Sequence, residues 1–155
     1  MKTHDLISID PGTKEIGWAT WHSGRLAGCG LLKFNDLSIL RRMVADQFSS
    51  LRPEHREVIV EEPKVYLRGK ADPEDILQLA KVAGAVGSVS SYTTFVKPGT
   101  WKGQVPKTIH HNRIQKLLCY DEMERVDYCM SAVPAAKKHN VWDAIGLGLY
   151  HLQRK

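Results

Sequence analysis

Cysteine is scarce in this chain: 155 residues contain only Cys29, Cys119 and Cys129. They form no CxxC pair, and their odd number argues against a disulfide framework, so free thiols in a reducing cytoplasm are expected. Long apolar runs are also missing. None reaches the roughly 18 residues a membrane-spanning helix needs. Repeats, low-complexity tracts and an interdomain linker are absent too, which makes residues 1–155 one domain by expectation. Met1-Lys2-Thr3-His4-Asp5 leads straight into a strand pattern rather than a signal peptide. No Ser or Cys stands in a nucleophile motif.

A hydrophobic content of 43% with 25% charged residues fits a soluble globule. A chain of this length buries about two thirds of its unfolded surface. Lys plus Arg number 22 against 17 for Asp plus Glu, a net charge of +5. That modest excess favours a polyanionic partner without demanding one.

Leu6 to Asp10 reads as a buried strand. Ile16 to His22 and Arg25 to Phe34 read as a hairpin joined at Ser23-Gly24. Leu40, Met43, Val44 and Phe48 recur at helical spacing and predict a helix from about Leu37 to Ser50. Glu57 to Glu61 is apolar without alternation, as in a strand covered on both faces. Asp72 and Pro73 open a second helix, whose surface at Val82, Ala83, Val86, Gly87 and Ser90 is rich in small residues. Ser91 to Val96 is the fifth strand, and Thr108–Cys119 and Asn140–Leu152 are predicted helices. The order βββαβαβαα is an α/β layout in which an antiparallel hairpin feeds a five-stranded mixed sheet flanked by helices.

Three carboxylates stand at informative places in this layout. Asp10 ends the first strand at a Pro-Gly turn, Glu61 ends the fourth, and Asp143 lies in the apolar terminal helix. Glu61 and Glu62 are adjacent and point to opposite faces, so at most one shares the face of Asp10. On the helix, Asn140 lies roughly 60° and His139 about 40° from Asp143, so both flank its carboxylate. Each acid alone has a plainer reading: a common turn, a solvated strand end, or a helix-dipole partner. Together they offer hard oxygen ligands for Mg²⁺ or Mn²⁺. Two such ions about 4 Å apart support phosphodiester cleavage without a protein nucleophile.

Between Lys64 and Lys107 the bases Lys64, Arg68, Lys70, Lys81, Lys97, Lys102 and Lys107 outnumber the acids Asp72, Glu74 and Asp75. Tyr66, Tyr92 and Trp101 are interleaved. Bases contact phosphates and rings stack on unpaired bases, so the segment is a candidate nucleic-acid surface. Its sharpest feature is the loop from Lys97 to Gly103, with Trp101 among lysines.

In Ile9-Asp10-Pro11-Gly12 with Gly17, in Val60-Glu61-Glu62 before a basic loop, in the Pro73–Val89 helix and in the Asp143-Ala144 helix, the chain resembles RuvC-type Holliday junction resolvases of the RNase H-like nuclease superfamily. The run His139 to Gly146 is similar to bacteriophage-type members. The resemblance implies an RNase H-like fold and a homodimer in the host-cell cytoplasm. Its activity would be that of a crossover junction endodeoxyribonuclease, nicking four-way DNA junctions symmetrically with two Mg²⁺ or Mn²⁺ per site. It makes Asp10, Glu61 and Asp143 metal ligands and puts the small-residue helix at Ala80, Ala83, Gly84 and Gly87 near the dimer interface. Tyr66, with Leu67 as second choice, becomes the wedge at the junction centre. Lys107 becomes an assisting lysine at the active site. Lys64, Arg68, Lys70, Lys97, Trp101 and Lys102 complete the DNA-binding set.

One position departs from the family pattern. Three residues before the final Asp the family carries an acid or a His, and here it is Asn140. Either His139 supplies the missing function, or the enzyme works with Asn, or the chain is an inactivated Asp→Asn variant, the reading preferred on sequence. Alternatives to junction resolution are an RNase H-like nuclease on other branched DNA or RNA, a catalytically dead junction-binding module, and a phosphotransferase of the actin and sugar-kinase type. The last needs two such domains, more than 155 residues supply.

Overall fold

The computed structural model describes residues 5–47, 56–65 and 69–154. Strand β1 (Asp5–Pro11) forms the centre of a five-stranded sheet. On one side β2 (Glu15–His22) and β3 (Arg25–Lys33) continue it antiparallel. On the other, β4 (Arg56–Glu61) and β5 (Tyr92–Val96) run parallel to β1, giving the order β3-β2-β1-β4-β5. The predicted hairpin and mixed sheet are both present. Ser23 and Gly24 adopt positive φ at the turn, as a tight hairpin requires.

Alternation along the strands sorts the core into two layers. Ile7, Ile9, Val58 and Val60 face α1 (Leu37–Gln47) and α2 (Pro73–Gly87), packing with Leu40, Val44, Val82 and Val86. Leu6, Ala19, Trp21 and Ile59 face the opposite layer, with Val141, Ala144, Ile145 and Leu149. The first helix is described as far as Gln47, so Phe48 to Ser50 lie outside the described residues. Asp72 caps α2 by accepting the Glu74 N–H at 2.9 Å.

The second half departs from expectation. The loop from Lys97 to Gly103 contains a short helix, α3 (Pro98–Trp101). The helix expected from Thr108 to Cys119 is α4 (Lys107–Leu117). A further helix, α5 (Tyr120–Met130), was not expected. Its buried residues Glu122, Val126 and Met130 are spaced four apart, but Glu124, Arg125 and Asp127 between them hide the apolar stripe. A 3₁₀ turn (Ala135–Lys137) then leads into α6 (Lys138–His151).

Helix α6 is buried continuously from Asp143 to Leu149. Two glycines let large rings reach its axis. A Cβ at Gly148 would lie 2.2 Å from Trp21 Nε1, and one at Gly146 would lie 2.8 Å from Trp101 and 2.5 Å from Ile114. Helical glycine costs about 1 kcal/mol relative to alanine; here that cost admits Trp21 of β2 and Trp101 of α3, which lock α6 to the sheet and to α3. Beyond α6, Arg154 donates to both Glu122 oxygens at 2.6 and 2.8 Å and to the Leu117 carbonyl at 2.6 Å. Glu122 also accepts the Leu26 and Cys119 N–H groups, each at 2.9 Å. Burial works against this carboxylate, but Arg154 and the two N–H donors outweigh it and bring its pKa down to about 2.

Candidate active site

Period-two geometry aims two of the three acids at one place. Ile9 pairs with Val60 across the parallel β1–β4 ladder, so Asp10 and Glu61 leave adjacent strand ends. Both continue the series that faces α6, Glu61 following Ile59 at an interval of two. Glu62 has the opposite parity, and its N–H extends the sheet to the Val96 carbonyl at 2.8 Å.

Asp143 comes from the second turn of α6 and is 4% exposed, too deep and too far along for a simple dipole partner. Its charge is compensated from other elements. His111 Nε2 on α4 lies 3.0 Å from Oδ1, and Lys102 Nζ lies 3.4 Å from Oδ2. Burial raises the Asp143 pKa, but the His111 hydrogen bond and the nearby charges of Lys102, His111 and Lys107 bring it below the ordinary value.

Lys102 is shared. Its ammonium is 3.1 Å from Glu61 Oε1 and 2.8 Å from Oε2. The Trp101 indole N–H donates to Glu61 Oε2 at 2.9 Å. Asp10 fares differently: burial, then repulsion from Glu61 and Asp143, raises its pKa well above the usual carboxylate range, against the weaker pull of Lys102 and Lys107. The three acids therefore lie close enough to repel one another, and Lys102, in contact with Glu61 and Asp143, partly neutralises them.

Solved structures match the whole fold over nearly full length, structures of RuvC among them. Thermus thermophilus RuvC in complex with a Holliday junction substrate matches at 18% identity, covering 96% of this chain and 92% of that chain, with a TM-score of 0.57. A second Thermus thermophilus RuvC structure matches at 17% identity, covering 95% of this chain and 92% of that chain, with a TM-score of 0.54. The chain has a RuvC-like fold. No family model and no curated protein sequence matches it.

Within this RuvC-like fold the remaining expected residues are distributed as follows. Lys107 opens α4, is exposed, and its charge acts on Asp10, Asp143 and His139. His139 and Asn140 lie half-buried in the first turn of α6. Burial, followed by Lys107, lowers the His139 pKa. The Asn140 carbonyl rests against Gly17, where a Cβ would lie 2.2 Å from it. Lys64, Lys70 and Lys97 are exposed, whereas Tyr66, Leu67 and Arg68 lie outside the described residues.

Trp101 is half-buried beneath Gly146 and turned toward Glu61, an orientation that makes it a support for the site rather than a projecting platform. His110 meets its ring edge-on, with centroids 5.0 Å apart. Sequence reasoning missed His110 and His111 altogether. The signal was spacing: His111 follows Lys107 by four residues and so shares its helix face.

Proposed function

We propose that this chain is a metal-dependent endonuclease specific for branched DNA, four-way junctions in particular, that works as a homodimer with one nuclease domain per protomer. The observation that carries the reading is the convergence of Asp10, Glu61 and Asp143, from two strand ends and a buried helix, on a RuvC-like sheet. All three are hard oxygen donors, the chemistry that suits Mg²⁺ or Mn²⁺. Among the described residues no group of three or more His, Cys, Asp and Glu is disposed to hold an ion as it stands. Lys102 takes up positive charge in that place instead, in contact with Glu61 and Asp143. In donor chemistry the three carboxylates suit the ion, and holding it would require Lys102, whose side chain is 24% exposed, to move aside and the carboxylates to draw together. Bound there, such ions supply activation of water and stabilisation of the leaving oxygen.

This chain's own groups then have distinct tasks. Trp101 fixes the rotation of Glu61, and Lys102 and Lys107 bring positive charge to the site where a phosphate would arrive. Lys64, Lys70 and Lys97 supply exposed charge along the DNA. For the dimer, support comes from α2, where Ala80 and Gly84 are exposed, no atom lies within 4 Å of a Cβ at Gly84, and Leu77 is 53% exposed on the same helix. Ala83 and Gly87, in contrast, are buried in their own core.

A second reading, a junction-binding module without catalysis, is favoured by Asn140 alone. A neutral amide there leaves the acid cluster one charge short of the family pattern. A cleavage panel of four-way, Y-shaped and linear DNA in Mn²⁺ tests both. Paired nicks in the four-way substrate support the nuclease reading. Tight junction binding without cleavage, even by N140D, selects the module, and equal cutting of linear DNA rejects junction specificity.

A further inference from the structure

Asp143 is 4% exposed, and each of its oxygens faces a different group. Oδ1 faces His111 and Oδ2 faces Lys102. An ionised carboxylate only accepts hydrogen bonds, so His111 must carry its proton on Nε2 to bond with it. The His111 side chain is 15% exposed. Its ring is bracketed by Trp142 on α6, at a centroid distance of 6.5 Å, and by His110, at 6.0 Å. The ring therefore has little freedom to turn away.

We propose that His111 is a positioning residue for the metal-binding carboxylates: by donating from Nε2 to Asp143 Oδ1 it fixes the carboxylate plane and keeps Oδ2 turned toward the Lys102 ammonium beside Glu61, the place a cation would take. The inference rests on the metal-dependent reading above and adds to it a residue outside the acidic set. Helix α4 then serves both carboxylates. His111 holds Asp143 directly, while His110 packs on Trp101, whose N–H holds Glu61. A site short of an anion at Asn140 depends more heavily on the orientation of the acids it retains. Hydrogen bonds that orient metal ligands are typically worth 10–100-fold in metal affinity or activity.

The test compares donor-less and donor-retaining replacements in DNA-free protein. H111L and H111F fill the space without a donor, and H111F keeps a ring against Trp142. H111Q retains an N–H at about the reach of Nε2. Mn²⁺ affinity is read from the free-ion electron paramagnetic resonance signal, and four-way junction affinity is measured in EDTA as a control for folding. H111L and H111F are expected to bind Mn²⁺ about 10–100-fold more weakly. H111Q should keep most of the native affinity, and all three should bind the junction normally in EDTA. If H111L misfolds, H111F carries the comparison. Native Mn²⁺ affinity in H111F, or H111Q as weak as H111F, overturns the proposal and leaves the metal reading intact. A native protein that binds no Mn²⁺ overturns both.

Discussion

Lys102 sets its ammonium 2.8 Å from Glu61 Oε2 and, on its other side, reaches Asp143 Oδ2 at 3.4 Å. An internal cation so placed competes with any external one, because like charges a few ångströms apart repel strongly even at protein-like dielectric. K102M is therefore expected to bind Mn²⁺ at least about 10-fold more tightly than the native protein in the absence of DNA, a gain of about 1.4 kcal/mol. Isothermal titration calorimetry measures it. Weaker or equal binding would mean that the lysine does not contend for the ion's place.

Asn140 precedes Asp143 by three residues on α6 and carries no charge. N140D is expected to raise Mg²⁺-dependent junction cleavage at least about 10-fold, while lowering the melting temperature in EDTA because a further carboxylate joins the cluster. Gel-based cleavage and a thermal melt read the two effects separately. Unchanged cleavage would show that the amide is no handicap.

Asp10 is destabilised where it stands, by burial and by repulsion from Glu61 and Asp143. D10N removes that repulsion. In EDTA its melting temperature should rise, by about 2–4 °C for each kcal/mol gained in a chain of this size. Cleavage should be abolished and junction binding spared. A D10N protein that still cuts would remove Asp10 from the metal ligands.

Away from the site, Glu122 gives a pH signature. Its pKa of about 2 in the folded chain lies below the ordinary 4.5. Its stabilisation is therefore present above about pH 4.5 and lost as pH falls toward 2, amounting to about 3 kcal/mol in full and about 2 kcal/mol by pH 3. Urea unfolding at pH 6 and pH 3 should show this loss in the native chain. The difference should be smaller in E122Q. An equal acid response in both would place the linkage elsewhere.

The strands were legible because each one carries its own signal. Leu6 to Ile9 and Val58 to Val60 are apolar enough to be buried from either side, and the Ser23-Gly24 turn announces the hairpin. Glu61 over Glu62 became readable only with the register, since parity alone does not say which face α6 covers. Helix α5 escaped notice because the first of its three buried residues is a glutamate, whose burial depends on Arg154 more than thirty positions away. Trp101 was read as a DNA contact from its lysine neighbours, while its partner Glu61 is brought to it only by the completed sheet. His111 was invisible for the same reason: its role exists only once α4 lies against α6.

The contact between Gly17 and the Asn140 carbonyl carries a last consequence. Backbone meets backbone there, with no room even for a methyl group. The opening turn of α6 is thus moored to β2 through its main chain, and the side chain at 140 bears none of that anchorage. Chemistry at 140 is in this sense an interchangeable fitting: amide, acid or imidazole can be exchanged without dragging Asp143 from its station one turn further on. Position 17 has no such latitude.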